Sequence, residues 1–291
     1  MMQNHAGLKN KSSIAFRQDH VKHSFGTINH ELHDRTITID LYQCSLAEKE
    51  EQMNKIKACL FDCYGTLIDI KTDESDANIW KAMKIFYDSH GAIYKAEELC
   101  HLYWMMSKDI CIFREETYEF EMKQIFQHLF AYKGIAASDW MNEAACLIFR
   151  FHSLRRLQLY PYAKQLLSLL RSHYQIFLLS NAQYPLLRWE MSVLGLSGYF
   201  DHCYISSTYH VKKPDKRFYD ILLKQEKLSP DQCLMIGNDA SSDIVTARDL
   251  GMKTCLFNSG NLPEQQTISD LHIHSLDELI SVMTEVNSDI I

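Results

Sequence analysis

The chain lacks any apolar run close to the roughly 20 residues that a membrane-spanning helix needs. Its first thirty residues hold no apolar core of the kind a secretory signal carries. No CxxC pair occurs among nine cysteines, and Cys59, Cys100, Cys146 and Cys233 are scattered through predicted helices and strands. That scatter suits small buried apolar side chains in a reducing compartment rather than a disulfide framework. No cluster of Lys and Arg gathers on one predicted helix face, and the net charge is -7. A polyanion-binding surface is thereby disfavoured, so nucleic acid is not an expected partner. These absences together read as a cytoplasmic protein with no membrane segment.

Apolar residues make up 46% of the 291 positions, enough for one large domain or two smaller ones. They are unevenly spread. Residues 1–52 are polar and hold five of the fourteen histidines, His5, His20, His23, His30 and His33, at spacings that form no tidy ligand set. Within them TITIDLY, residues 36–42, alternates as an edge strand would. Met53 opens MNKIKACLFD, a natural domain start, so residues 1–52 read as an N-terminal extension, expected to be poorly ordered.

The stretch around which the rest is organised is IKACLFDCYGTL, residues 56–67. A short apolar run ending on Asp62 suits a strand buried on both faces. It delivers a carboxylate at the carboxyl end of a central strand, where open α/β sheets place ligands. Residues 73–156 then show apolar and aromatic positions at spacings of three and four, as in Ile79, Met83, Phe86 and Tyr87, and in Tyr118, Met122, Ile125, Phe126 and Leu129. This predicts an all-α insert of about four helices whose stripes form a bundle core. Beyond Pro161 helix and strand alternate, with strands expected at 175–179, 202–206, 233–236 and 253–257. The expectation is an α/β fold with a doubly wound parallel sheet, its core formed by residues 53–72 and 157–291, and an inserted all-α four-helix cap domain at 73–156.

Several of the predicted strand ends carry polar side chains. Ser180 and Asn181 follow IFLL, Lys213 precedes Pro214 in a loop, and Asn238, Asp239 and Asp243 follow CLMIG. Singly, each has a plain structural account: helix caps, a solvated charge, helix-start acids. A parallel sheet, however, brings these ends to one rim, which gathers three carboxylates, two hydroxyls and an ammonium. Such a cleft suits a carboxylate nucleophile, Asp62, with Thr66 and Ser180 holding oxygens and Lys213 offsetting charge. Three acids around one point repel unless a hard cation such as Mg²⁺ sits between them.

These four stretches, in this order, resemble the haloacid dehalogenase superfamily of aspartate-nucleophile hydrolases, over about residues 56–257, with the helical insert as that family's cap. The resemblance implies that Asp62 is the nucleophile, that Thr66 and Ser180 are the motif hydroxyls and that Lys213 is the motif lysine. It implies Mg²⁺ held by Asp62, the Tyr64 carbonyl, Asp239 and Asp243, and a small phosphorylated metabolite as substrate, touched by Thr66, Ser180, Asn181, Lys213 and Tyr219. One departure matters: the family's phosphatases carry a general acid and base two residues after the nucleophile, where this chain has Tyr64. A phenol is a poor base at neutral pH. DxYGTL, together with Tyr219 six residues after Lys213, is similar to 2-haloacid dehalogenases, whose halide leaves without a proton. The expected function is therefore a Mg²⁺-dependent phosphatase, with a carbon–halogen hydrolase or a catalytically weak phospho-ligand-binding regulator as alternatives.

Overall fold

A computed structural model describes residues 55–112, 114–259 and 269–288. The histidines of the extension, the 36–42 stretch and Met53 lie outside the described residues.

In chain order the elements are β1 (Ala58–Phe61), β2 (Ile68–Thr72), α1 (Ala77–Ser89), α2 (Ala96–Ile112), α3 (Met122–Tyr132), α4 (Asp139–Ser153) and β3 (Leu154–Leu159). There follow α5 (Ala163–Leu170), β4 (Gln175–Ser180), α6 (Tyr184–Leu194), β5 (His202–Ile205), the short α7 (Ser206–Tyr209) and α8 (Lys216–Glu226). The last are β6 (Cys233–Gly237), a π-helical turn (Ala240–Val245) running into α9 (Thr246–Leu250), β7 (Lys253–Phe257), β8 (Leu271–Ile273) and α10 (Leu276–Ser288).

Six strands form one sheet in the order β5-β4-β1-β6-β7-β8, with every pair parallel. The organising strand, β1, has two neighbours on each flank or more, and all four of its residues are buried. Its side chains alternate between faces: Cys59 and Phe61 join the core under α5, α6 and α10, whereas Ala58 and Leu60 join the core under α8. Burial of both faces explains why these strands read as unbroken apolar runs rather than as alternating ones. Phe61 stands opposite Leu178 and Ile236, so Asp62, Ser180 and Gly237 emerge close together at the carboxyl rim.

The four helices α1 to α4 lie between β2 and β3 and pack a core of their own, including Ile79, Met83, Tyr87, Tyr103, Phe126 and Phe149. Stacked and edge-on rings dominate it, among them Tyr87 on Phe130 and Tyr103 on Phe126. The Met and aromatic stripes are thus bundle core.

Two features differ from the sequence reading. β2 and β3 pair as an antiparallel ribbon at the root of the insert, Ile68 opposite Leu159; both strands are half exposed and more than eighty positions apart, which hides their pairing from local pattern. β8 is three residues, LHI, too short to signal itself. No helix among the described residues is long and apolar enough to cross a membrane.

Candidate active site

Asp62 leaves β1 with its backbone N–H bonded to the Ile236 carbonyl at 2.9 Å, which fixes the carboxylate at the rim between β1 and β6. Its side chain is almost fully buried, and Oδ1 accepts from Lys213 Nζ at 2.7 Å. The Thr66 hydroxyl lies 3.3 Å from Asp62 Oδ2 and equally far from Asn238 Oδ1.

Lys213 is the electrostatic centre. Buried to 3% exposure, it bridges Asp62 and Asp243, with Asp243 Oδ1 at 2.8 Å. Burial alone would lower the lysine's pKa, but the carboxylates of Asp243 and Asp62 outweigh it and hold the ammonium above its ordinary range. The Asp243 pKa is raised as well, but against its charged form: burial first, and the Asp62 charge after the opposing effect of Lys213, push it up to about 6. Asn181 sets the lysine's position. Its Oδ1 accepts from the Lys213 N–H at 2.8 Å, and its Nδ2 donates to the Lys213 carbonyl at 2.9 Å.

Between these groups lies a cavity of about 200 Å³ lined by Asp62, Tyr64, Asn181, Lys213, Asn238, Asp239, Ser242 and Asp243. Gly65, beside the cavity-lining Tyr64, has φ at +87°, and a Cβ built there would stand 2.5 Å from Asn238 Nδ2. Strained backbone and a direct clash both oppose a side chain. Gly65→Ala should therefore lower unfolding stability by at least about 1–3 kcal/mol, the usual cost of such backbone strain, and displace Asn238. Urea unfolding checks it: unchanged stability would contradict the close approach.

Three other residues expected to act on the substrate have their side chains engaged differently. The Tyr219 side chain is fully buried, and its hydroxyl donates to the Ser242 carbonyl at 2.6 Å, so it braces the π turn instead of lining the cavity. Ser180 is fully buried, its hydroxyl makes no hydrogen bond among the described residues, and it is not among the cavity's lining residues. Tyr64 lines the cavity, yet its hydroxyl donates to Glu190 Oε2. Burial, and then the Glu190 charge, raise this phenol well above its ordinary value.

The fourth stretch also changes meaning. Asp239, expected as a metal ligand, caps the π turn: its Oδ1 accepts from Ser241 N–H at 2.8 Å, Ser241 Oγ at 2.7 Å and Ser242 N–H at 3.1 Å. Burial would raise its pKa, but those hydrogen bonds hold it below the ordinary carboxylate value. Asp243 has both oxygens engaged, one by Lys213 and the other by the Asp239 N–H at 3.1 Å. Among the described residues no group of three or more His, Cys, Asp or Glu converges as a metal cage. The cavity lining nonetheless includes side chains with oxygen donors, Asp62, Asn238 and Asp239. Those donors suit Mg²⁺, which takes one or two carboxylates and leaves its other positions to water and substrate.

A family model described as haloacid dehalogenase-like hydrolase matches residues 56–251, from the first strand of the sheet through the fourth stretch. The chain belongs to this family, and it is a hydrolase. Among its relatives, (S)-2-haloacid dehalogenase 4A of Burkholderia cepacia is 26% identical over 78% of this chain and 94% of that protein. Glyceraldehyde 3-phosphate phosphatase of Pyrococcus furiosus is 31% identical over 43% of this chain and 53% of that protein, so the match spans about half the relative's length. A crystal structure of 2-haloacid dehalogenase from Pseudomonas syringae pv. Tomato DC3000 superposes with a TM-score of 0.56 at 20% identity, over 79% of this chain and 99% of that one. The fold is thereby shared over 79% of this chain.

Three residues that the sequence gives no role are brought forward by the structure. Asn238 follows β6 as Asp62 follows β1, and its strand-end place is the signal. Glu190 sits on the apolar stripe of α6 with Leu187 and Met191, and Arg150 on that of α4 beside Phe149. A charge on a buried stripe is the sign that would have found both.

Proposed function

We propose that this hydrolase cleaves a small phosphorylated metabolite through a covalent intermediate on Asp62, with Mg²⁺ at the strand ends. The observation that carries this is the charge of the cavity. Asp62, Asp239 and Asp243 line it, and Lys213 is the one cation among its lining residues. A phosphomonoester dianion is repelled by that set unless a hard cation is present. Asp62, Asn238, Asp239 and the Tyr64 carbonyl are the groups to hold Mg²⁺, which when bound would offset the charge of the phosphoryl oxygens.

Lys213 holds one oxygen of Asp62, which leaves Oδ2 to attack, and the Thr66 hydroxyl orients that oxygen. The bond from Oδ2 to phosphorus forms as the bond to the leaving oxygen breaks, and that oxygen takes its proton from solvent water. Water then attacks the phosphorus, releasing inorganic phosphate and regenerating the carboxylate.

Tyr64 favours a second reading. With its hydroxyl given to Glu190 and its pKa raised, it is no base and a poor donor beside the nucleophile. A leaving group that departs without a proton, such as halide from a 2-haloacid, fits that arrangement, and relatives are named for both chemistries.

An aryl phosphate and a 2-halopropionate, each assayed with Mg²⁺ and with chelator, separate the readings. Phosphate release that chelator abolishes is the expected result. Halide release untouched by chelator replaces it with the second reading, and turnover of neither leaves a phospho-ligand-binding role.

A further inference from the structure

Glu190 has no exposed surface, and a carboxylate so placed is costly unless it is paired. Its partners come from two separate parts of the chain. One is the Tyr64 hydroxyl, on the loop after β1, two residues from the nucleophile and on the cavity wall. The other is Arg150, on the last helix of the insert, whose Nε lies 3.0 Å from Glu190 Oε1 with only 12% of the side chain exposed. That approach lacks hydrogen-bond alignment, so it acts through charge alone. The rest of the buried face of α6 is apolar, with Leu186, Leu187 and Met191 packed in the cores, and a leucine at 190 would need no partner. The trio does one thing an apolar residue could not: it joins the cavity wall to the insert through one hydrogen bond and one buried ion pair.

We infer that Glu190 and Arg150 are positioning residues, and that the insert sets the orientation of the Tyr64 phenol through this buried pair. Among the described residues the phenol's hydrogen bond goes to Glu190 alone, so loss of Arg150 removes the cation that holds the Glu190 carboxylate in place and lets Glu190 and Tyr64 shift together. Burial already raises the pKa of Glu190 against the opposing Arg150 charge. This inference rests on Asp62 being the nucleophile only insofar as the phenol's position matters to turnover; the linkage itself does not depend on it.

The test is a double-mutant cycle on the full chain with Arg150→Met, Tyr64→Phe and the pair, read in two ways. In kcat/KM, for whichever of the aryl phosphate and the 2-halopropionate is turned over, Arg150→Met should cost tenfold or more in the wild-type background and less than twofold in Tyr64→Phe. Arg150→Lys should recover part of that loss. In urea unfolding, the two single changes should be non-additive. An equal kinetic loss in both backgrounds, or additive unfolding effects, would overturn the inference. If wild type turns over neither probe, the functional reading fails by itself, and the unfolding cycle still decides whether the trio is coupled.

Discussion

Asp62→Asn is expected to remove turnover to below a few per cent while leaving the melting curve in place. The amide keeps the shape of the side chain but cannot form the intermediate. Stability should survive because Lys213, the buried cation beside it, still has Asp243 at 2.8 Å. Fewer buried charges then remain, so the fold loses a contact without gaining an unpaired ion. Substantial residual activity with an unchanged melting curve would remove Asp62 from the chemistry.

Lys213→Met should be far more damaging to the fold. It leaves Asp62 and Asp243, 7% and 1% exposed, facing each other with no cation between them. Removing one partner of a buried pair costs about 3–5 kcal/mol, because the remaining charge is stranded. The sign of the pH dependence follows. Asp243 is already pushed up to about 6, and Lys213 is what holds it from going higher. Without the lysine the folded pKa rises further above the unfolded one, so the variant folds best with Asp243 protonated. Its deficit against wild type should therefore be small at acidic pH and grow as pH rises through about 6. Urea unfolding at pH 5 and pH 7 measures it. Adding Asp243→Asn should recover part of the loss at pH 7, and an equal deficit at both pH values would contradict the charge account.

Asp62 was legible in the sequence because it ends an apolar run, so its position at a sheet rim needed no tertiary information. Lys213 and Asp243 were placed near it by the parallel topology expected of the alternating helices and strands, and the structure joins them as ion pairs. What Asp239 does was not legible, because a carboxylate at a strand end can face a ligand or turn back to cap the next turn, and only the Ser241 and Ser242 N–H groups decide between them. Tyr219 was assigned to substrate by resemblance, whereas its hydroxyl goes to the Ser242 carbonyl. The β2–β3 ribbon and the Tyr64–Glu190–Arg150 line join residues more than eighty and more than a hundred positions apart, or link the insert to the sheet. Local pattern does not report such pairings, although a charge on an apolar helical stripe marks one end of them.

The central claim is a covalent bond to Asp62 during turnover. Acid-quenching the enzyme mid-reaction with an aryl phosphate and Mg²⁺, then mapping its peptides by mass spectrometry, tests it directly. A phosphoryl group on the peptide that carries Asp62, lost on longer incubation and missing in Asp62→Asn, is the predicted result. Product formation with that peptide unmodified at every time point would contradict the account.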